Sequence, residues 1–364
     1  MVNGDWQVVS SVKNPWGRIP LTGGGRTLSP AMEEYKLKLS TKLALPDTEA
    51  RRHHYVPQTY LRKWSDDGKR VWTLDTQTGL ARRLGVRDIC VSENFYRVVG
   101  SDGLEHNRVE LLFGVVDEEI ARIQNLLLNL SDPDVLTFDD FMAVGVVVAM
   151  QRMRTLQTRR LLMQYDSWYL AQTTDAQSQT PGSAIRLAGI HTQTAFSAVW
   201  AAADIFTTRQ LELWDDPQGR FVTSDCPVQI PFESGVRPDT VQASRIWWPI
   251  SPSRAVSLSN DHRGEKVVHR RVNRAMVAVA RQAVIQGRER FIIAPQSQLG
   301  FLPVGSPLKK RAQIELTCSQ FHRGKYYPPP SCVVARLETY AEYPRVALCS
   351  NGLHSHDPKL HEMG

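Results

Sequence analysis

The sequence predicts an α+β protein, and three observations carry that expectation. Strand-like runs cluster before residue 100 and again after residue 210, and the stretch between them has helical periodicity. Strands and helices are thus segregated, whereas a doubly wound parallel sheet would alternate them.

Residues 1–50 read as a peripheral arm. Gly23, Gly24 and Gly25 lie in a polar stretch between Pro20 and Pro30, and no G-x-x-x-x-G-K-[ST] pattern follows them. His53 to Trp64 reads HHYVPQTYLRKW, polar and aromatic together. Val71–Asp75 and Leu80–Leu84 flank Gln77, Thr78 and Gly79, which predicts a hairpin with Gly79 free to adopt positive φ.

Apolar residues Val109, Leu112, Phe113, Val116, Ile120, Ile123, Leu127 and Leu130 step by three or four, one face of a helix. Thr137 and Asp140 form a capping-box pattern, opening a long helix expected to run without proline from Phe138 to about Ala171. A third helix is expected from Ser183 to about Phe206, completing a central bundle.

Beyond it, Gln210–Trp214 and Arg220–Ser224 flank the turn sequence from Asp215 to Gly219 and predict a second hairpin. Ile246–Ile250 and Ala255–Ser259 read as further antiparallel strands, Val272–Ile285 as a helix and Phe291–Ala294 as a closing strand. The expected organisation is an arm over 1–50, one core domain over 51–294 and a C-terminal extension over 295–364.

Composition narrows the class. Hydrophobic residues make up 42% of the 364 residues and charged residues 22%, which excludes a wholly disordered chain, a collagen-like fibre and a coiled-coil rod. Lys and Arg number 44 against 37 Asp and Glu, a net charge of +7 compatible with an anionic ligand or nucleic acid. Five widely spaced cysteines without a C-x-x-C pair predict reduced thiols. The N-terminus has no signal-peptide core, and the longest apolar run, Ala143 to Met150, is far short of the ~20 residues of a membrane span. The expectation is a soluble, cytoplasmic protein with no membrane partner.

Three polar groups are candidates for chemistry. In His53 and His54, followed by Val56-Pro57-Gln58, an extended backbone sends the two rings to opposite faces, so that one serves a site as base or ligand. A solvated basic patch or a pair of hydrogen-bonded structural histidines is the plain alternative. Gln151, Arg154, Thr155 and Thr158 share one helical face, which suits a phosphate or carboxylate; an Arg paired with a structural acid is the plain alternative. Asp225, in Thr223-Ser224-Asp225-Cys226-Pro227, is placed either for a metal or base role or to cap the turn before Pro227. No Rossmann fingerprint, G-x-S-x-G or H-E-x-x-H pattern is present, so no nucleotide-cofactor motif is visible.

Taken in order, these segments resemble the bacterial domain of unknown function 4238. The resemblance rests on HHYVPQTYLRKW, the strand VWTLDTQTG, Asn94-Phe95-Tyr96, QRMRT at Gln151 to Thr155, FVTSDCPV at Phe221 to Val228, and WPISP at Trp248 to Pro252 followed by Val272-Asn273. It covers about residues 51–294. Thr59 stands where that family usually has Phe, and Cys226 where it usually has Asn. The resemblance implies no settled activity, but it raises the weight of the ordered polar residues.

The resulting expectation is a metal-dependent hydrolase or nuclease acting on a phosphodiester or other anionic substrate. His53, His54 and Asp225 are its candidate catalytic residues, and Gln58, Gln151, Arg154 and Asn273 its substrate-binding set. A divalent ion is the expected cofactor, with Glu93, Glu110 or Glu118 as further carboxylates. A non-catalytic nucleotide- or partner-binding protein and a small-molecule tailoring enzyme are the alternatives.

Overall fold

A computed structural model describes residues 49–99, 104–132, 135–162, 205–231, 243–260 and 267–308. It adds single positions within 37–47 and 191–203 and the backbone of short strands within 314–348. The fold is α+β, with two four-stranded sheets and several helices.

The chain enters the core through β1 (Arg52–His54) and the short α1 (Gln58–Arg62), then forms the hairpin of β2 (Arg70–Asp75) and β3 (Leu80–Gly85). Gly79 has φ +75°, and a Cβ there would lie 2.9 Å from the Ser306 backbone nitrogen, so glycine is required twice over. β4 (Val91–Glu93) pairs with β1, and β5 (Val98–Val99) with β6 (Glu105–His106).

α2 (Arg108–Asn129) buries the expected stripe, including Val109, Leu112, Phe113, Val116, Ile120, Ile123 and Leu127. Each such side chain contributes about 1.5–3 kcal/mol when fully removed from water. Its C-terminal carbonyls, which lack helical partners, are met by Arg254, whose Nη1 donates to the Leu127 and Leu130 oxygens at 2.9 Å. The Gln124 side chain adds a 2.7 Å bond to the Ile250 oxygen.

α3 (Phe138–Met153) opens on the predicted capping box of Thr137 and Asp140. It does not run on as a single helix. Arg154 and Thr155 form a turn, and helical residues 156–162 follow. The cause is local: the Thr155 hydroxyl accepts the Thr158 N–H at 3.3 Å and donates to the Arg152 oxygen at 3.1 Å, acting as a new N-cap. The remainder of that expected helix, and residues 183–190 of the third, lie outside the described residues.

One sheet has the order β3-β2-β12-β8, built from the hairpin, β12 (Phe291–Ala294) and β8 (Thr223–Ser224). The other has the order β11-β7-β10-β9, built from β7 (Gln210–Asp215), β9 (Arg245–Pro249), β10 (Arg254–Ser259) and β11 (Val267–Arg271). The second expected hairpin is therefore a turn without a hairpin. Gly219 has φ +63° and its N–H bonds the Asp216 oxygen at 2.9 Å, but β7 joins one sheet and β8 the other. The strand set is also not wholly antiparallel, because β11 runs parallel to β7.

α4 (Arg274–Gly287) covers the first sheet, where Val284 packs with Leu74, Val222, Ile292 and Ala294. Leu299 and Leu302, in and after the 3-10 turn Gln296–Phe301, join the same cluster. Among the described residues no helix is long and apolar enough to cross a membrane.

Candidate functional site

Arg154 caps the C-terminus of α3, where its side chain turns inward and is 0% exposed. A buried guanidinium must be paired, and this one is. Nη1 bonds Asp117 on α2, Nη2 donates to the His54 oxygen at 2.7 Å, and Nε donates to the Tyr96 hydroxyl at 3.3 Å. Its cationic carbon lies 4.5 Å above the Phe113 ring. β1, α2, α3 and the Phe95-Tyr96 turn thus meet at one charge.

His53 supports this arrangement from behind. Its Nδ1 accepts the Tyr96 N–H at 2.9 Å and its Nε2 donates to the Ala50 oxygen at 2.8 Å. The ring stacks on Tyr96 at 5.7 Å, and burial lowers its pKa. Both ring nitrogens of His53 are thus occupied by backbone groups, the arrangement of a hydrogen-bonded structural histidine.

Around Arg154, other polar groups have no such partners. His54 Nε2, Glu110 Oε2, His191 Nδ1 and both amide atoms of Gln151 are enclosed, with no hydrogen-bond partner. Gln151 is 0% exposed and lies one helical turn before Arg154. Glu110 and Asp117 bracket Phe113 on α2 at three and four residues' distance, which aligns them on one face.

These groups titrate away from their usual ranges. Burial pushes the Glu110 carboxyl up to about 8; Arg154 opposes that rise and Asp117 adds to it. Burial also raises Asp117, again opposed by Arg154. His54 is lowered, first by burial, with the Arg154 and Arg52 cations adding to it against a backbone hydrogen bond at Arg87. Burial lowers His191 to about 3, while Nε2 donates to the Met153 oxygen at 2.8 Å. At neutral pH the cluster therefore holds a protonated carboxyl beside neutral imidazoles.

Asp225 belongs to a different place. Its Oδ1 accepts the Glu289 N–H at 3.0 Å, and its Oδ2 accepts those of Arg290 and Phe291 at 2.7 and 3.0 Å. It is 0% exposed and clamps the turn between α4 and β12 onto β8. Burial pushes its carboxyl up to about 7 against the pull of the three N–H donors, and Glu289 adds to the rise. Beside it, Arg160 and Glu289 form a buried two-bond ion pair at 2.6 and 2.9 Å. Asp225 bonds none of His53, His54, Gln151 or Arg154, so the expected His–Asp pairing does not form.

The last two nominated residues sit at the periphery. Asn273 is exposed and caps α4, its side chain accepting the Met276 N–H at 3.0 Å. Gln58 is half-buried and accepts from Arg62 at 3.4 Å. The sequence reading missed Asp117, Tyr96 and His191. The signal for Asp117 was its spacing from Glu110 across Phe113, at the margin of the apolar stripe.

Among the described residues, no three His, Cys, Asp or Glu side chains are placed to share a metal ion. The carboxyls of the Arg154 cluster share their space with a guanidinium, which disfavours a second cation there.

The segments that form both places are those a known family matches. The family described as "Protein of unknown function (DUF4238)" matches residues 52–290, and the chain belongs to it. No curated protein and no solved structure matches the chain.

Proposed function

We propose that the protein is a hydrolase of a phosphodiester or related anionic substrate, with its chemistry at the Arg154-centred cluster rather than at Asp225. The observation that supports this is the set of enclosed, unpartnered polar atoms on His54, Glu110, Gln151 and His191 around one buried cation. Each unpartnered group costs about 1–3 kcal/mol unless a ligand or water meets it.

The directions of the pKa shifts support one role for each group. Neutral His54 takes the proton of the attacking water through Nε2. Glu110 protonates the leaving oxygen as its bond to phosphorus breaks. Two groups with pKa values pushed apart are the usual basis of an acid–base pair. Arg154, already paired with Asp117, positions the His54 backbone and lowers the charge cost of an anion. No step runs through a metal.

The test is incubation of purified protein with DNA and RNA, with and without Mg²⁺, Mn²⁺ or Zn²⁺. Cleavage is expected to fall at least 100-fold in His54→Ala and Glu110→Gln, since general acid–base groups contribute roughly 10²–10⁴-fold. Its pH profile is expected to rise through the lowered His54 pKa and fall above about 8. Intact nucleic acid under every condition would remove this reading.

A non-catalytic binding protein is the second reading. It is favoured by the internal pairing of Arg154, which leaves it positioned more than reactive. That reading predicts ligand-dependent stabilisation in a thermal melt with no turnover.

A further inference from the structure

One exposed stretch of the chain carries a surplus of positive charge. Between Arg51 and Asp88 the chain has nine Lys or Arg and four Asp, a surplus of five within an overall net charge of +7. All nine basic residues are exposed.

Hydrogen bonds and strand pairing join the segments that carry several of them. Arg52 donates to the Arg87 oxygen and to Asp88 Oδ1, both at 3.0 Å. The Val86 N–H bonds the Lys69 oxygen at 2.9 Å, joining the Arg87 segment to the loop before β2. Arg70 stands opposite Gly85 in the hairpin, and Arg83 reaches Asp67 at 3.0 Å. Arg82 follows on β3, an edge strand of its sheet among the described residues. Arg51, Lys69, Arg70, Arg82 and Arg87 have no carboxylate partner among the described residues.

We infer that this strip is a docking surface for the phosphate backbone of a duplex nucleic acid, leading to His54. The inference rests on the hydrolase reading and narrows its substrate from any anion to a polymer. Three features support it. The cations are exposed on adjoining segments, β1, the Arg87 turn, the loop before β2 and the hairpin, and are not enclosed at one point, so they suit a repeating charge better than a single phosphate. β3 alone is about 20 Å long at roughly 3.3 Å per residue, and a duplex presents one charge per about 1.7 Å of axis. One end of the strip meets the cluster: Arg52 is two residues from His54 on β1, and the Arg87 backbone is hydrogen-bonded to His54.

The surface also disfavours other partners. Leu80, 46% exposed at the turn, is the one large exposed apolar side chain on the hairpin, so the strip has no anchor for a membrane or an apolar protein interface. Trp72 is half-buried, and no exposed aromatic side chain is available on β2 or β3 to stack on unpaired bases.

The test is fluorescence anisotropy of the full chain with labelled duplex DNA, duplex RNA and single-stranded DNA across a salt series. Glu110→Gln serves as a binding form that does not cleave. Duplex binding is expected to weaken steeply with salt, with the DNA and RNA arms identifying the source. The triple variant Lys69→Glu/Arg82→Glu/Arg87→Glu is expected to bind at least 30-fold more weakly at 0.1 M salt. The milder triple change to Gln is expected to lower the log–log salt slope by about 3, since each phosphate contact contributes about 0.9. An unchanged melting temperature shows that the fold is intact. Duplex affinity equal to wild type in both triple variants overturns the inference. So does tighter binding to phosphatidylserine vesicles or to single strands than to duplexes. Salt-dependent duplex binding without cleavage upholds the strip and removes only the hydrolase reading.

Discussion

The Asp225 region and the Arg154 region contain similar residues but treat them differently. At Asp225 both oxygens accept backbone N–H groups, Arg160 and Glu289 pair twice, and the Gln229 amide bonds Ser224 Oγ at 3.2 Å. At Arg154 the guanidinium is satisfied, yet His54, Glu110, Gln151 and His191 each present an enclosed group without a partner. At Asp225 the carboxylates are met and join secondary structures, although Gln229 Oε1 there is also enclosed without a partner. An unsaturated polar cluster has capacity for a ligand.

The largest effect expected from breaking this contrast is at Asp225. Asp225→Asn puts an amide N–H₂ against backbone N–H donors and is expected to cost about 2–4 kcal/mol in a denaturant melt. A smaller loss is expected from Gly287→Ala. The added Cβ would sit 1.6 Å from Gln229 Oε1, and the Gln229 side chain is held by its own bonds to Ser224 and Cys226. Displacing it costs about 1–3 kcal/mol by overpacking.

The Arg154 region is expected to respond in the opposite direction. Glu110 has a folded pKa of about 8 against an ordinary 4.5, so the folded state keeps a proton that the unfolded chain releases. Its contribution is present below about pH 4.5 and is lost as pH rises through about 8. Glu110→Gln removes that loss and is expected to stabilise the protein by about 1–2 kcal/mol at pH 9, discounted for partial exposure. At pH 4 it is expected to change little. Urea melts at the two pH values check the sign. Asn273→Ala, which removes only the α4 cap, is expected to cost about 1 kcal/mol and leave cleavage intact.

The same contrast explains what was legible in sequence. The α2 stripe, the Thr137 capping box and the β2–β3 hairpin are local patterns, and each is found as expected. The break at Thr155 also has a local cause, but a short hydroxyl side chain in a polar helical run does not announce that it caps. Strand partnership is not local. Ile293 pairs with Thr73 on one side and Thr223 on the other, and nothing near residue 293 encodes either.

The site follows the same division. The polar blocks could be found because their residue types stand out. Their division of labour could not, because the Arg154 partners come from His54, Tyr96 and Asp117, far away in the chain. An ordered polar set also proved compatible with packing. His53 and Asp225 each join distant backbone segments through their side-chain hydrogen bonds.

The central claim is that His54 accepts the proton of the attacking water and Glu110 protonates the leaving oxygen. It is tested most directly by the pH profile of nucleic-acid cleavage in wild type and Glu110→Gln. A limb falling above about pH 8 in wild type, with at least a 100-fold loss in the variant and no loss of melting temperature, is the predicted result. Cleavage by Glu110→Gln at the wild-type rate, with the same alkaline limb, would contradict it.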